Sequence, residues 1–370
     1  MGEEPVISAL KDFADRFLGR GDATITVPSF DGALKPNQIL EKTETVGQFD
    51  APEDLATDGK ALYIADGAAI LRLDGNTATE VRRFDRVITA LCCLPDGGLA
   101  VALDGREVQL LATPSAAAAA ATFSDPSINA INALAPGPRG TLIATDGSTL
   151  RPYRQWVYDL MERGRTGRVL SLDIASGSVR TIASGLQYAF GVCAAGDVLL
   201  VSESWRHRVI GLAADGSRHA ILDNLPVYPS RLSPAASGGF WLTAFAARTQ
   251  LIEFVLRENA YRRRMMSEID PAYWIAPKLK SGQSFLEPMQ GAHIKTMGVV
   301  KPWAPPRSYG LVIRLDAAGV PLYALHSRVD GVNHGIVAAV EIDGSLFALA
   351  KGPGRLLRAP LTMIERELRI

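Results

Sequence analysis

A chain of 370 residues, 47% apolar and 21% charged, is long enough to bury one large core or two modest ones. Lys plus Arg and Asp plus Glu both number 39, so there is neither the basic excess of a nucleic-acid-binding protein nor a solvating acidic tail. The expected partner is a small molecule, with a protein as the other default, and nothing sets the oligomeric state.

Of the three cysteines, Cys92 and Cys93 are adjacent, a pairing that seldom bridges, and Cys193 adds no metal-ligand spacing. That usage suits a reducing compartment. The N-terminal stretch carries early acids and no apolar core of a secretory leader, and no window approaches the roughly 18 apolar residues of a membrane span. The expectation is a cytoplasmic protein without a transmembrane segment.

In chain order, Ile7, Leu10, Phe13, Phe17 and Leu18 recur at helical spacing and predict an amphipathic helix over Pro5 to Leu18. Thr24 to Val46 is polar and Pro-containing, and reads as an extended arm. The expected division is an N-terminal helix and arm over 1–45 and a single repeat domain over 46–370.

From Pro52 a unit recurs: a Gly turn, a strand of small and branched apolar residues, a polar break, and a strand closing on a charged or turn residue. Copies begin near Asp58, Pro95, Pro138, Ala194, Ala236 and Ile342, the third and fifth completed by the later strands from Gly167 and Tyr309. Short antiparallel units of about forty residues cannot bury their faces singly and close radially. The expected fold is all-β, a six-bladed β-propeller. Two β-sandwiches would need a linker that the chain lacks.

Two spacings are overlong. Between Asp146 and Gly167 lie Trp156, Tyr158 and Met161 on a predicted loop and short helix. Between Phe245 and Tyr309 the period predicts one helix presenting Leu251, Phe254, Val255, Tyr261 and Met265, with Arg262, Arg263 and Arg264 on its solvated face. Both read as lids. The alanine run Ala116 to Ala121 reads as a surface connection between the second and third blades.

Propellers bind at one mouth of the central channel, where the lead-in loops of the inner strands converge. Those loops here are PEDLATD, INAINALA, YAFGVCA, YPSRLSP and NHGIVAAVE. With GRVLSLD, LLVSES, GGFWLT, YGLVIRLDAAG and VEIDGSLFALA, they resemble the strictosidine synthase-like proteins of the gluconolactonase and paraoxonase superfamily of six-bladed propellers. The matching pieces run in family order over nearly the whole chain after the arm.

In hydrolytic members of that superfamily the mouth holds calcium on a Glu and on Asn or Asp from later loops. Position by position, Glu53 matches the Glu and Asn132 the first Asn, while Phe190, Ser230 and Arg231 stand where Asn, Asp and Asn would be. Calcium wants six or more oxygens, and Arg cannot lose its proton to admit a metal. No tightly bound calcium is therefore expected. A weak site would use Glu53 and Asn132 with Asp146 and water. The catalytic Glu of the condensing members falls on Val337 and the preceding His on Gly335, with His334 and Glu341 the nearest ionisable groups.

The predicted mouth comprises Glu53, Asn132, Tyr188, Phe190, Ser230, Arg231 and His334, topped by Trp156 and Tyr158. Glu53 is assigned proton transfer or, on the plainer reading, a pairing with Arg231. Glu203, on an inner strand in the family's Ala-Glu-Thr position, is the third candidate acid, or else pairs with a channel cation. His207 reads as structural. What the resemblance and these residues imply is a lactone or ester hydrolase working by acid and base, with His334 or Glu53 moving the proton and Arg231 holding the oxyanion. A metal-independent lyase, cyclase or condensing enzyme acting on a carbonyl compound, and a non-catalytic binding propeller, are the alternatives.

Overall fold

The computed structural model describes residues 27–284, 286–288, 295–296, 299–300 and 308–368. The helix expected over Pro5 to Leu18 lies outside the described residues. The rest forms six four-stranded antiparallel sheets arranged as the blades of a propeller. Their inner strands are Pro52–Thr57, Ile88–Cys93, Ile131–Pro136, Ala189–Ala195, Val227–Pro234 and Ile336–Ile342, which define blades one to six.

Each blade grades from dry to wet. Leu99–Leu103, the second strand of blade two, is buried at every position, whereas Thr77–Arg83, the outermost strand of blade one, is largely exposed. A strand covered on both faces by neighbouring blades reads as a continuous apolar run, and an outermost strand cannot. Turns between strands use residues suited to left-handed backbone. At Asp215-Gly216, Gly216 takes φ +85° and the Asp215 carboxylate accepts the Ser217 N–H at 2.8 Å.

The ring is closed by the arm. Glu44–Gln48 adds to blade six as its outermost strand, antiparallel to Arg355–Pro360. Joining the two ends of the domain in one sheet leaves no blade open to slide apart.

Both overlong insertions join a second strand to a third, the first in blade three and the second in blade five. Register puts the end of a second strand level with the start of its inner strand, as Asp146 opposite Ile131 shows. Both insertions therefore emerge on the face where the inner strands begin. The first is the helix Trp156–Glu162 after a turn at Tyr153–Gln155. The second is not the single helix its period predicts: Gln250–Arg257 and Asn259–Glu268 are separate, because Glu258 breaks the helix with ψ 78°. Ile252, Val255 and Met265 face inward, while Phe254 and Tyr261 are half exposed. Arg262 does not lie on a solvated face either. It is buried and donates to the Leu256 carbonyl, closing the end of the preceding helix. The alanine run joins the third and outermost strands within blade two rather than two blades.

Candidate functional site at the channel mouth

Every inner strand breaks register against its neighbour one to three residues after it starts. A β-bulge inserts unpaired backbone and bends the strand, which re-aims side chains and carbonyls. The bulges fall at Glu53, Thr89, Asn132, Phe190 with Gly191, Ser230 with Arg231, and Val337, so six bulges ring the channel. The predicted Glu53, Asn132, Phe190, Ser230 and Arg231 all lie in them.

Bulge carbonyls face the channel and need donors. In half the ring a hydroxyl from the preceding blade's second strand supplies one. Thr145 Oγ1 donates to Phe190 O at 2.5 Å, Ser202 Oγ to Ser230 O at 2.5 Å, and Thr243 Oγ1 to Val337 O at 3.2 Å. At the corresponding positions opposite the bulges, blades six, one and two carry Leu349, Ala65 and Ala102. Those side chains have nothing to donate.

Arg231 fills two of the three gaps, at Glu53 and Thr89, and adds a second donor at Val337. Its guanidinium crosses the channel, 6% exposed, and donates to Glu53 O at 2.9 Å, Thr89 O at 2.8 Å and Val337 O at 3.3 Å. Its Nε lies 3.1 Å from the Asp54 carboxylate but out of line for a hydrogen bond, so that contact is electrostatic. Glu53 Oε1 stands 3.7 Å away, and the Phe190 ring covers the guanidinium at 5.3 Å. Burial pushes the Asp54 carboxyl up to about 6, against the pull of Arg231 and of the Leu91 and Leu55 amides.

The oxygens that a calcium ion would take, two carboxylates and three bulge carbonyls, are thus engaged by a fixed cation on the protein itself. The donor set does not fit calcium. Among the described residues no cluster of three or more His, Cys, Asp or Glu is placed to hold another metal.

Above the guanidinium lies a cluster only partly anticipated from sequence. Lys351 Nζ pairs with Glu53 Oε2 and donates to Tyr153 Oη at 3.0 Å. Burial, then the Glu53 charge, push the Tyr153 phenol well up, so it stays a donor. Asn132 donates to Ala189 O at 2.9 Å, and Gly147 makes room: a Cβ there would lie 2.4 Å from Asn132 Nδ2 and 2.9 Å from the Tyr188 ring. Tyr188 is held at φ +63°, costly for an aromatic residue, and stacks on Trp205 at 4.4 Å.

Trp156, Tyr188, Phe190, Trp205 and Phe245 wall the mouth, closing it to a cavity of about 30 Å³. Glu53, Tyr153 and Lys351 also line a groove of about 300 Å³ that opens beside it toward Ala51, Val87 and Arg154. The three polar groups therefore stand on the boundary between a dry aromatic wall and an open groove.

Other predicted residues lie elsewhere. Ser230 is in its bulge, but its hydroxyl is fully buried against Thr243 Oγ1 at 2.7 Å and Ile336 O at 3.1 Å. Glu203 is buried away from the mouth, accepting the Gln187 N–H at 2.7 Å and pairing with Arg208 at 2.7 Å. Both nitrogens of His334 are engaged: Nε2–H donates to Arg328 O at 2.7 Å, which leaves Nδ1 to accept from the Ser308 hydroxyl at 2.6 Å. Burial lowers its pKa, and the ring is neutral. Tyr158 turns away from the mouth and packs on Trp274 at 4.7 Å.

Lys351, Tyr153 and Asp54 were not singled out from sequence. Lys351 carried a legible signal, because it follows the second strand of blade six, whose Ala350 pairs with Ile336 at the start of the inner strand.

Comparison with known proteins agrees with the architecture. The strictosidine synthase family profile matches residues 132–214. The bovine (Bos taurus) adipocyte plasma membrane-associated protein is 25% identical over 358 residues, covering 86% of this chain and 79% of its own. The Arabidopsis thaliana strictosidine synthase-like 2 protein is 25% identical over 229 residues, 58% of this chain and 54% of its own. In structure, a gluconolactonase from Xanthomonas campestris superposes with a TM-score of 0.54 at 13% identity, over 85% of this chain and 88% of that one, a likeness of fold alone. Profile, relatives and fold agree in direction: the chain is similar to strictosidine synthase-like proteins over part of its length, and it has the six-bladed β-propeller fold seen in the gluconolactonase.

Proposed function

We propose that the chain is a metal-independent hydrolase of lactones or esters acting at the channel mouth. The observation that carries this reading is the cluster of Glu53, Lys351 and Tyr153 at the boundary of the groove, above a channel sealed by Arg231. In the groove a carbonyl carbon lies toward Glu53, with the apolar part of the substrate against the aromatic wall. Glu53 takes a proton from water as the water oxygen bonds to that carbon. The Lys351 ammonium and the Tyr153 hydroxyl donate to the oxyanion that forms. When the intermediate collapses, the C–O bond to the leaving alkoxide breaks and Glu53 returns the proton to it. Arg231, tied to three carbonyls, has no part beyond holding the floor, a change from the oxyanion role expected from sequence.

A panel of γ- and δ-lactones and aryl esters, assayed with and without chelator, tests this. Turnover unchanged by chelator is expected, with kcat/KM falling about 10²- to 10³-fold in Glu53→Gln and Lys351→Met and less in Tyr153→Phe. Hydrolysis that depends on added calcium would overturn it. A second reading, a non-catalytic binding propeller, draws on the closure of the mouth to about 30 Å³. Ligand binding without turnover across the panel would select that reading.

A further inference from the structure

On the same face, on the far side of Trp205 from the mouth, lies a separate cleft of about 460 Å³. Its walls are the end of the first lid helix, the loop after the second strand of blade four, the connection from blade four to blade five, and the helix Gln250–Arg257. Five arginines line it (Arg163, Arg165, Arg206, Arg248 and Arg257), against two carboxylates, Asp223 and Glu253, and no lysine. Glu253 is spent on Arg248, 3.2 Å away. Arg257 finds no hydrogen-bond partner for its buried Nη2 among the described residues.

The backbone gives a second, independent observation. Six non-glycine residues among those described take left-handed φ, and three of them, Arg163 at +59°, His207 at +54° and Asn224 at +50°, line this cleft. Arg163 ends its helix where glycine is the low-cost residue. Strain of this kind persists where surrounding structure enforces it, and it concentrates at ligand sites.

We propose that this cleft binds a phosphate monoester of a small organic molecule. Guanidinium forks match the oxygens of a tetrahedral oxyanion in bidentate fashion, which the ammonium of lysine does not, and the strong bases of the lining are all arginines. Among the lining residues arginines outnumber carboxylates five to two, which suits a dianionic head group. The volume lies within the range of small-molecule sites and exceeds what a free ion fills. The site is distinct from Glu53 and Lys351, and does not depend on any reaction there.

Isothermal titration of the full chain with inorganic phosphate, glucose 6-phosphate and adenosine monophosphate, with glucose as the uncharged control, tests the proposal. The esters are expected to bind, weakening as salt rises from about 50 to 200 mM. Arg257→Gln weakens them about tenfold, and Arg165→Gln with Arg257→Gln abolishes detectable binding. Neither side chain makes a hydrogen bond or ion pair among the described residues, so neither substitution should unfold the protein, and thermal melts verify that. Arg264→Gln, whose arginine pairs with Glu268 on the exposed side of its helix, leaves affinity unchanged. Inorganic phosphate binding as tightly as the esters overturns the organic part of the proposal and identifies the free ion as ligand. No heat from any phosphate, an equal loss in Arg264→Gln, or binding of heparin alone overturns the site.

Discussion

Replacing Arg231 with Met isolates what the guanidinium does for the fold. Thr243 still serves Val337 O, so the carbonyls left bare are those of Glu53 and Thr89. Each buried orphan acceptor costs about 1–3 kcal/mol, and Asp54 is left buried without its counter-charge. Breaking one side of a buried pair costs about 3–5 kcal/mol in total, since Asp54 escapes the full penalty by taking up a proton. Unfolding entropy of about 2.1 cal/mol/K per residue gives roughly 0.8 kcal/mol/K for 370 residues. The expected fall in Tm is therefore about 4–6 °C, read by calorimetry and matched by a lower urea midpoint at unchanged m-value. Asp54 sits at about 6 even with Arg231 beside it and rises further without it. The loss should thus be smaller at pH 5, where Asp54 is protonated, than at pH 8. Adding Ala65→Ser, whose hydroxyl would stand toward Thr89 O as that of Thr145 stands toward Phe190 O, should restore about 1 kcal/mol. A Tm change under about 1 °C, or a loss independent of pH, would refute the view that the guanidinium holds the ring.

Asp54 makes its own prediction in the unmutated ring. Its folded pKa of about 6 lies above the ordinary 3.8, so between those values the folded chain holds a proton that the unfolded chain has released. Stability from this group is present below about pH 4 and declines by about 3 kcal/mol as pH rises to about 6. The difference between wild-type and Asp54→Asn urea midpoints should trace that decline; a flat difference would refute it. His334→Gln should lower stability by about 1–2 kcal/mol through its lost bonds to Ser308 and Arg328, while kcat/KM on any substrate found stays within twofold. Burial raises the Cys93 and Cys193 thiols to about 12 and Cys92 further, so a disulfide reagent at pH 8 should titrate none of the three until the chain is denatured. Fast labelling of the native protein would count against the placement of these strands.

The blades were legible because inner and second strands are buried on both faces and leave unbroken apolar runs such as LAVAL at Leu99–Leu103. Outermost strands left little trace: RHAIL at Arg218–Leu222 is mostly exposed and carries no period strong enough to mark it. The second insertion misled for a related reason. Its helical period is real, but nothing in the pattern marks Glu258, where the backbone leaves the helix.

The site divides along a different line, between what side chains do and what the backbone does. Glu53, Asn132, Phe190, Ser230 and Arg231 were found because resemblance assigns residue types to loop positions, and all five occupy bulges. Half of what Arg231 binds is backbone carbonyl, at Glu53, Thr89 and Val337, and a carbonyl has no identity in a sequence. The hydroxyls of Thr145, Ser202 and Thr243 against the apolar Leu349, Ala65 and Ala102 can be seen once the blades are aligned, yet the asymmetry means nothing until the bulges aim the carbonyls inward. Taken together they give a physical reason for an arginine at this position. Three blades bring their own donors; of the three that do not, two leave Glu53 O and Thr89 O to a residue that reaches across the channel, and that residue must carry several N–H groups and keep its charge beside Asp54. Lysine has the charge but not the planar fork, and asparagine the donors but neither the reach nor the charge. The same guanidinium that holds these carbonyls also occupies the centre of the ring, so the cation there is one the chain itself supplies.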